Sequence, residues 1–213
     1  MFRRLLRGLL LGRLKTPRDA ARWAFKRHAG KPAFTGADDR VITFAELGER
    51  VFTLASGLLE GGLTAGDRVA FALPNSPEFI ELRLACHEAG LVAVPLAADL
   101  GPAARAEALS ACEPKLYVFD PGMDERPPEG MRAVPLSRGG GLDELRGGGT
   151  GPCRAEVDPA APATVNFTSG TTGKPKGVVS THRAWATSLK MTVGSSLLEL
   201  GDAELFLHAI PLA

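Results

Sequence analysis

Apolar and polar positions along the chain change period several times, and each change marks a predicted element. Leu47, Val51, Leu54, Ala55 and Leu58 recur at helical spacing behind Thr43-Phe-Ala-Glu46, a capping box, and the pattern stops at Gly61-Gly62. Asp67 to Leu73 is a short apolar run closed by Pro74-Asn75, as a buried strand would be. Ser76-Pro77 then supplies an N-cap and a proline at the first helical position, for a helix running to Ala89 and stopped by Gly90. Leu91 to Leu96 reads as a strand with Pro95 at its end or on an edge, Pro102 to Cys112 as a helix, and Lys115 to Phe119 as a further strand. Strands separated by helices of about a dozen residues need crossover connections. The fold class is therefore α/β, a layered domain on a parallel sheet.

Two regions depart from this rhythm. Residues 121–162 contain Pro127-Pro128, two glycine triplets and Gly151-Pro152, and read as a long surface excursion with no phosphate-binding glycine frame. Residues 1–32 carry ten basic residues and one acid, Asp19, in a chain whose net charge is +1, so the remainder is net acidic. On a helical wheel Phe2, Leu5, Leu6 and Leu9 gather opposite Arg4, Arg7, Lys15 and Arg18, while Arg3, Leu11, Arg13 and Leu14 blur the separation. Residues 1–16 thus form a basic amphipathic tail. Three readings are open: peripheral contact with an anionic membrane through residues 1–18, a solvated end or, on composition alone, a mitochondrial presequence. Arg7 and Arg13 interrupt the leucines well short of a membrane span, and no small-residue cleavage site follows for a secretory signal.

With 45% apolar and 23% charged residues, the 213-residue chain can bury a core and is not disordered. Three widely spaced cysteines, Cys86, Cys112 and Cys153, match neither a zinc site nor a disulfide framework, and fit a reducing cytoplasm. A nearly neutral chain without interleaved aromatic and basic residues has no case for nucleic acid.

The chemistry concentrates in one loop. Ala163 to Phe167 reads as a strand and is followed by Thr168-Ser-Gly-Thr-Thr-Gly-Lys-Pro-Lys-Gly177. Gly170 and Gly173 let successive amides turn into one concavity. Thr168, Ser169, Thr171 and Thr172 add hydroxyl donors, and Lys174 and Lys176 add positive charge. Such a loop suits a polyphosphate. It is not a Walker A loop: only two residues separate Gly170 from Gly173, and Pro175 with Val178-Val179-Ser180 leads into a strand, not a helix.

Phe167 to His182 (FTSGTTGKPKGVVSTH) resembles the signature loop of the adenylate-forming, AMP-binding superfamily, which includes acyl-CoA synthetases, peptide-synthetase adenylation domains and luciferases. Asp67 to Leu96 is similar to a segment near the front of the same enzymes. The resemblance implies the front part of their N-terminal domain, spanning 17–213 as a partial adenylation domain with the excursion at 121–162. It further implies an ATP-dependent ligase: a carboxylic acid attacks the α-phosphate to give an acyl-adenylate and pyrophosphate, and a thiol, most often coenzyme A, takes the acyl group. By that resemblance Thr168, Ser169, Gly170, Thr171, Thr172, Gly173, Lys174 and Lys176 hold the ATP phosphates, Lys174 at a variable position, and Gly177 serves backbone geometry.

The family's later motifs, for adenine and magnesium, for ribose, and a lysine in a C-terminal domain, have no counterpart here. The Mg2+ ligand is therefore expected outside these 213 residues, no catalytic residue is assigned, and His208 to Ala213 resembles the start of the next motif. The expectation is a truncated domain, inactive alone and needing its missing half, with an unpaired apolar edge near Leu205 to Ile210. The rival is a non-catalytic remnant that binds phosphate or docks a partner. His182 is expected to pack or cap, not to transfer protons. Cys86 and His87, adjacent on a helix, diverge and form no dyad.

Overall fold

The computed structural model describes residues 14–35, 40–97, 99–123, 127–136, 142–168 and 175–194. The helices follow from their caps. The Thr43 hydroxyl accepts from the Glu46 amide while the Glu46 carboxylate accepts from the Thr43 amide at 2.8 Å, starting α2 (Phe44–Glu60), whose Leu47, Val51, Leu54, Ala55 and Leu58 are buried as their spacing requires. Thr16 and Asp19 form a second capping box at α1 (Pro17–Arg27). Ser76 caps α3 (Pro77–Ala89), which ends at Gly90 with φ 73°, and α4 (Pro102–Cys112) has proline at its first turn.

Between α1 and α2 lies an antiparallel ribbon, β1 (Pro32–Thr35) with β2 (Val41–Thr43). The main sheet holds β3 (Arg68–Ala72), β4 (Val92–Pro95), β5 (Leu116–Phe119), β6 (Ala133–Pro135), β7 (Pro162–Thr168) and β8 (Lys176–Thr181), in the order β6-β5-β3-β4-β7-β8. All neighbours are parallel except β7 and β8. Pro95 therefore ends an interior strand instead of marking an edge. The chain steps from β3 to β4 in one direction and from β4 back across β3 to β5 in the other. Right-handed crossovers in opposite directions put their helices on opposite faces. One face buries Val69, Phe71, Ala93 and Val118 under Leu54, Leu58, Leu82 and Ala85 of α2 and α3. The other buries Ala70, Val94 and Tyr117 under Ala108 and Leu109 of α4. The alternation along β3 is the period-two pattern of a strand covered on both sides.

The glycine- and proline-rich stretch differs from the surface linker expected of it. Its described residues contribute β6, the outer parallel strand beside β5, and a 3-10 turn at Leu142–Leu145 whose two leucines are buried in the core. Arg146 then reaches across α2, donating to the Arg50 carbonyl at 2.7 Å and to the buried Glu81 carboxylate at 2.7 Å, which also accepts from Arg50 at 2.9 Å. A Cβ on Gly57 of α2 would collide with the Leu145 carbonyl oxygen, so glycine there lets the stretch cross α2 in backbone contact.

The basic N-terminal stretch is corrected in part. Residues 1–13 lie outside the described residues, but Arg18 and Arg22 face inward. Arg18 donates to the Ala155 carbonyl at 2.7 Å, and Arg22 donates to the buried Glu88 carboxylate at 2.9 Å and to the Cys153 carbonyl at 2.9 Å. Thr16 is buried as the cap of α1. Among the described residues no helix is long and apolar enough to cross a membrane.

Candidate functional site

The candidate site lies where β7 ends and β8 begins, on either side of the hydroxyl- and lysine-rich loop of the sequence. The register of the two strands pairs Thr164 with Ser180, Val165 with Val179, Asn166 with Val178, Phe167 with Gly177 and Thr168 with Lys176. Thr168 ends β7 and Lys176 opens β8, so the structure brings these two predicted residues face to face at the loop's mouth; the Thr168 hydroxyl donates to the Lys176 carbonyl at 3.5 Å. Ser169, Gly170, Thr171, Thr172, Gly173 and Lys174 lie outside the described residues. The Lys176 side chain is exposed, with no carboxylate partner among the described residues. A Cβ at Gly177 would stand 3.0 Å from Val165 Cγ1 and 3.4 Å from the Phe167 ring, so this glycine permits close cross-strand packing.

Since β7 runs parallel to β4, β3 and β5, its loop emerges at the carboxyl edge of the sheet, where open α/β sheets bind ligands. The chain leaves β3 for α3 on one face and leaves β4 for α4 on the other, so the topological switch point of the sheet lies between those two strand ends, one strand from β7. The Thr168 hydroxyl and the exposed Lys176 at such an edge are donors suited to phosphate oxygens, so the described residues fit ATP. Among the described residues no group of three His, Cys, Asp or Glu is placed to hold a metal ion.

At the foot of the hairpin is a buried column whose members look unrelated in the sequence. His87 Nε2 lies 3.1 Å from Thr164 Oγ1, the His182 ring sits 5.9 Å from the His87 ring, and Trp185 lies 6.1 Å from His87 with the Arg83 guanidinium over its face at 4.6 Å. Burial, then the nearby Arg83 and His182, push His87 down to about 3; burial, then Arg18, push His182 down to about 4. Both are neutral imidazoles at ordinary pH. Neither His182 ring nitrogen has a partner among the described residues. His182 therefore packs, as expected, and the column pins β7 to α3. Nothing in the sequence announces it, because His87 and Thr164 are 77 positions apart. Burial raises the Cys86 thiol above its ordinary value, and no dyad with His87 forms.

A family model described as AMP-binding enzyme matches residues 21–213. A feruloyl-CoA synthase from Amycolatopsis is 33% identical over 167 residues, covering 75% of this chain and 33% of that protein. An L-proline–[L-prolyl-carrier protein] ligase from Streptomyces coelicolor is 31% identical over 194 residues, covering 81% of the chain and 35% of the ligase. Among solved structures, the N-terminal subdomain of Klebsiella oxytoca NpsA, in complex with 3-hydroxybenzoyl-AMSN, superposes with a TM-score of 0.67 at 31% identity, over 80% of this chain and 42% of that one. The N-terminal domain of FACL13 from Mycobacterium tuberculosis gives 0.69 at 27%, over 78% and 44%. The chain thus spans about a third of the length of these curated relatives. Its mostly parallel sheet, the loop at the sheet's carboxyl edge and the matched span agree: the chain belongs to the AMP-binding enzyme family of adenylate-forming proteins.

Proposed function

We propose that these residues are the phosphate-binding front part of an ATP-dependent, AMP-forming acyl ligase. The observation that carries the reading is the hairpin whose strands end at Thr168 and Lys176, holding the hydroxyl- and lysine-rich loop at the carboxyl edge of a parallel sheet. In the reaction a carboxylate oxygen attacks the α-phosphorus of ATP, the bond to the bridging oxygen breaks, and pyrophosphate leaves with its electron pair. The loop's role is to stabilise the charge that gathers on that leaving group. Thr168 and Lys176 hold the mouth, with Ser169, Gly170, Thr171, Thr172, Gly173 and Lys174 between them. Mg2+, when bound, would neutralise phosphate charge, and no ligand for it is assigned among these residues. Thioesterification to coenzyme A would follow, in keeping with the names of the feruloyl-CoA synthase above and of an acetyl-coenzyme A synthetase from Mycolicibacterium smegmatis.

On this reading the 213 residues bind ATP or pyrophosphate but do not complete adenylation, and the basic segment 1–18 touches an anionic membrane, with Arg18 contributing to the fold instead. Two assays test the ligase reading. Equilibrium binding of ATP should weaken about tenfold to a hundredfold on Lys176→Ala, the value of a charged hydrogen bond, and stay unchanged on Lys115→Ala, at the sheet's opposite edge. Equal effects would refute the loop assignment. ATP–pyrophosphate exchange with a panel of carboxylic acids should be absent from the isolated chain, and turnover would overturn the claim that it is incomplete.

A further inference from the structure

Most cationic side chains that the structure describes near α1 and α3 help to hold the fold together. Arg18 and Arg22 bind backbone carbonyls and Glu88, while Arg50 and Arg146 clamp Glu81. Three others share one groove. Lys15, ahead of α1, and Arg183 and Lys190, on α5 (His182–Gly194), line one open groove of about 360 Å³ with Leu14, Ala186 and Thr187. Among the described residues no carboxylate pairs with any of the three. Asp19, the acid nearest Lys15 in sequence, is turned onto the Lys15 and Thr16 amides at 2.9 Å. Arg183, Ala186, Thr187 and Lys190 fall at i, i+3, i+4 and i+7, one face of α5, and Met191, 69% exposed, flanks that stripe.

The groove does not belong to the nucleotide loop. Arg183 follows the far end of β8, and its amide donates to the Pro159 carbonyl at 2.7 Å, at the amino edge of the sheet. The length of β8, about 17 Å at roughly 3.3 Å per residue, separates that end from Lys176. The groove lies instead where residues 1–13, with Arg3, Arg4, Arg7 and Arg13 and five leucines, join the domain.

We propose that this groove is a docking surface for the headgroups of an anionic phospholipid membrane, seating the domain amino edge down with its nucleotide loop facing the aqueous side. The proposal builds on the membrane reading of the tail and extends it to three named cations on the folded domain. Charge complementarity commits the occupant: cations without carboxylate partners, beside an exposed methionine, suit a bilayer surface.

The test is sedimentation of the full 213-residue chain with vesicles of equimolar phosphatidylglycerol and phosphatidylcholine, against phosphatidylcholine alone. The wild-type chain should partition onto the anionic vesicles only, and less so as salt rises. Each cation near the surface is worth about fivefold, so K15Q/R183Q/K190Q should lower partitioning on the order of a hundredfold, and R183K/K190R should retain it. K26Q/R27Q, at the other end of α1, should change it no more than a few-fold. Deletion of residues 1–13 tests the tail by itself. Loss on that deletion with no loss in the triple variant would make the tail the sole anchor and overturn the groove. Equal loss in K26Q/R27Q would also overturn it, as would displacement of the chain from vesicles by millimolar inorganic phosphate, which would mark a free-anion site. ATP binding by the triple variant should match the wild type, which keeps this result separate from the ligase reading.

Discussion

The paired histidines at the foot of the β7–β8 hairpin should make the fold sensitive to mild acid. Both imidazoles are held well below the ordinary value of about 6.5, His87 at about 3 and His182 at about 4, chiefly by burial. The charged neighbours are Arg83 and Arg18, which also disfavour protonation, and Asp158 and Asp19, which favour it at His182 but do not outweigh burial. Protons therefore bind the unfolded chain more readily than the folded one. The stabilisation from keeping both rings neutral is complete above about pH 6.5 and is lost as pH falls toward 3 to 4. Between pH 7 and pH 5 an unfolded imidazole gains about 2 kcal/mol by protonation while a ring held at 3 or 4 gains almost nothing, so the pair should cost about 4 kcal/mol of stability. Carboxylates titrate little in that window. Urea unfolding followed by the fluorescence of Trp185, which sits against His87, should show this loss. His182→Leu, which removes a ring whose nitrogens have no partner among the described residues, should halve it. Identical stability at the two pH values would refute the reasoning, as would an undiminished pH dependence in His182→Leu.

Other outcomes follow from buried contacts. Glu81→Gln removes the carboxylate shared by Arg50 and Arg146 and should destabilise the chain by about 3–5 kcal/mol, read as a lower urea midpoint with unchanged slope. Gly57→Ala places a methyl group against the Leu145 carbonyl. It should lift residues 142–149 off α2, so that trypsin cuts after Arg146 faster than in the wild type, and equal cleavage rates would contradict the backbone contact. Thr43→Ala removes the side-chain cap of α2 and should cost about 1 kcal/mol, measurable in the same urea titration.

Much of the architecture is legible in the sequence because its signals are local. Thr43 with Glu46, Ser76-Pro77 and Gly90 each act within one turn of chain, and the helices begin and end where these residues place them. The β1–β2 ribbon and β6 are not legible. They are three or four residues long, β1 and β6 contain proline, and all three exist as strands through pairing with a distant or short partner. The inward turn of Arg22 depends on Glu88, 66 positions away, and the burial of Glu81 depends on Arg146, 65 positions away. Local charge patterning carries no information about such pairs. The loop is the opposite case: Thr168 and Lys176 flank a turn of one hairpin, so composition and spacing suffice to place both at its mouth.

The attachment of β7 to the sheet sets how its outer half is held. Its register with β4 rests on one partner pair, Ala93 with Thr164, and Thr164 is also the residue that meets His87. Beyond it, toward the tip, β7 is paired to β8 alone. Val165 and Phe167 there pack against the core beneath α4, so the outer half of the hairpin is held by side-chain packing and not by a ladder with β4. That packing can loosen without breaking a backbone hydrogen bond among β3, β4 and β5. Amide exchange in the distal hairpin should accordingly be faster than in the central strands and uncoupled from global unfolding. Cohesion in this sheet is thus graded, greatest where the helices clamp the central strands and least in the described hairpin residues beyond Thr164.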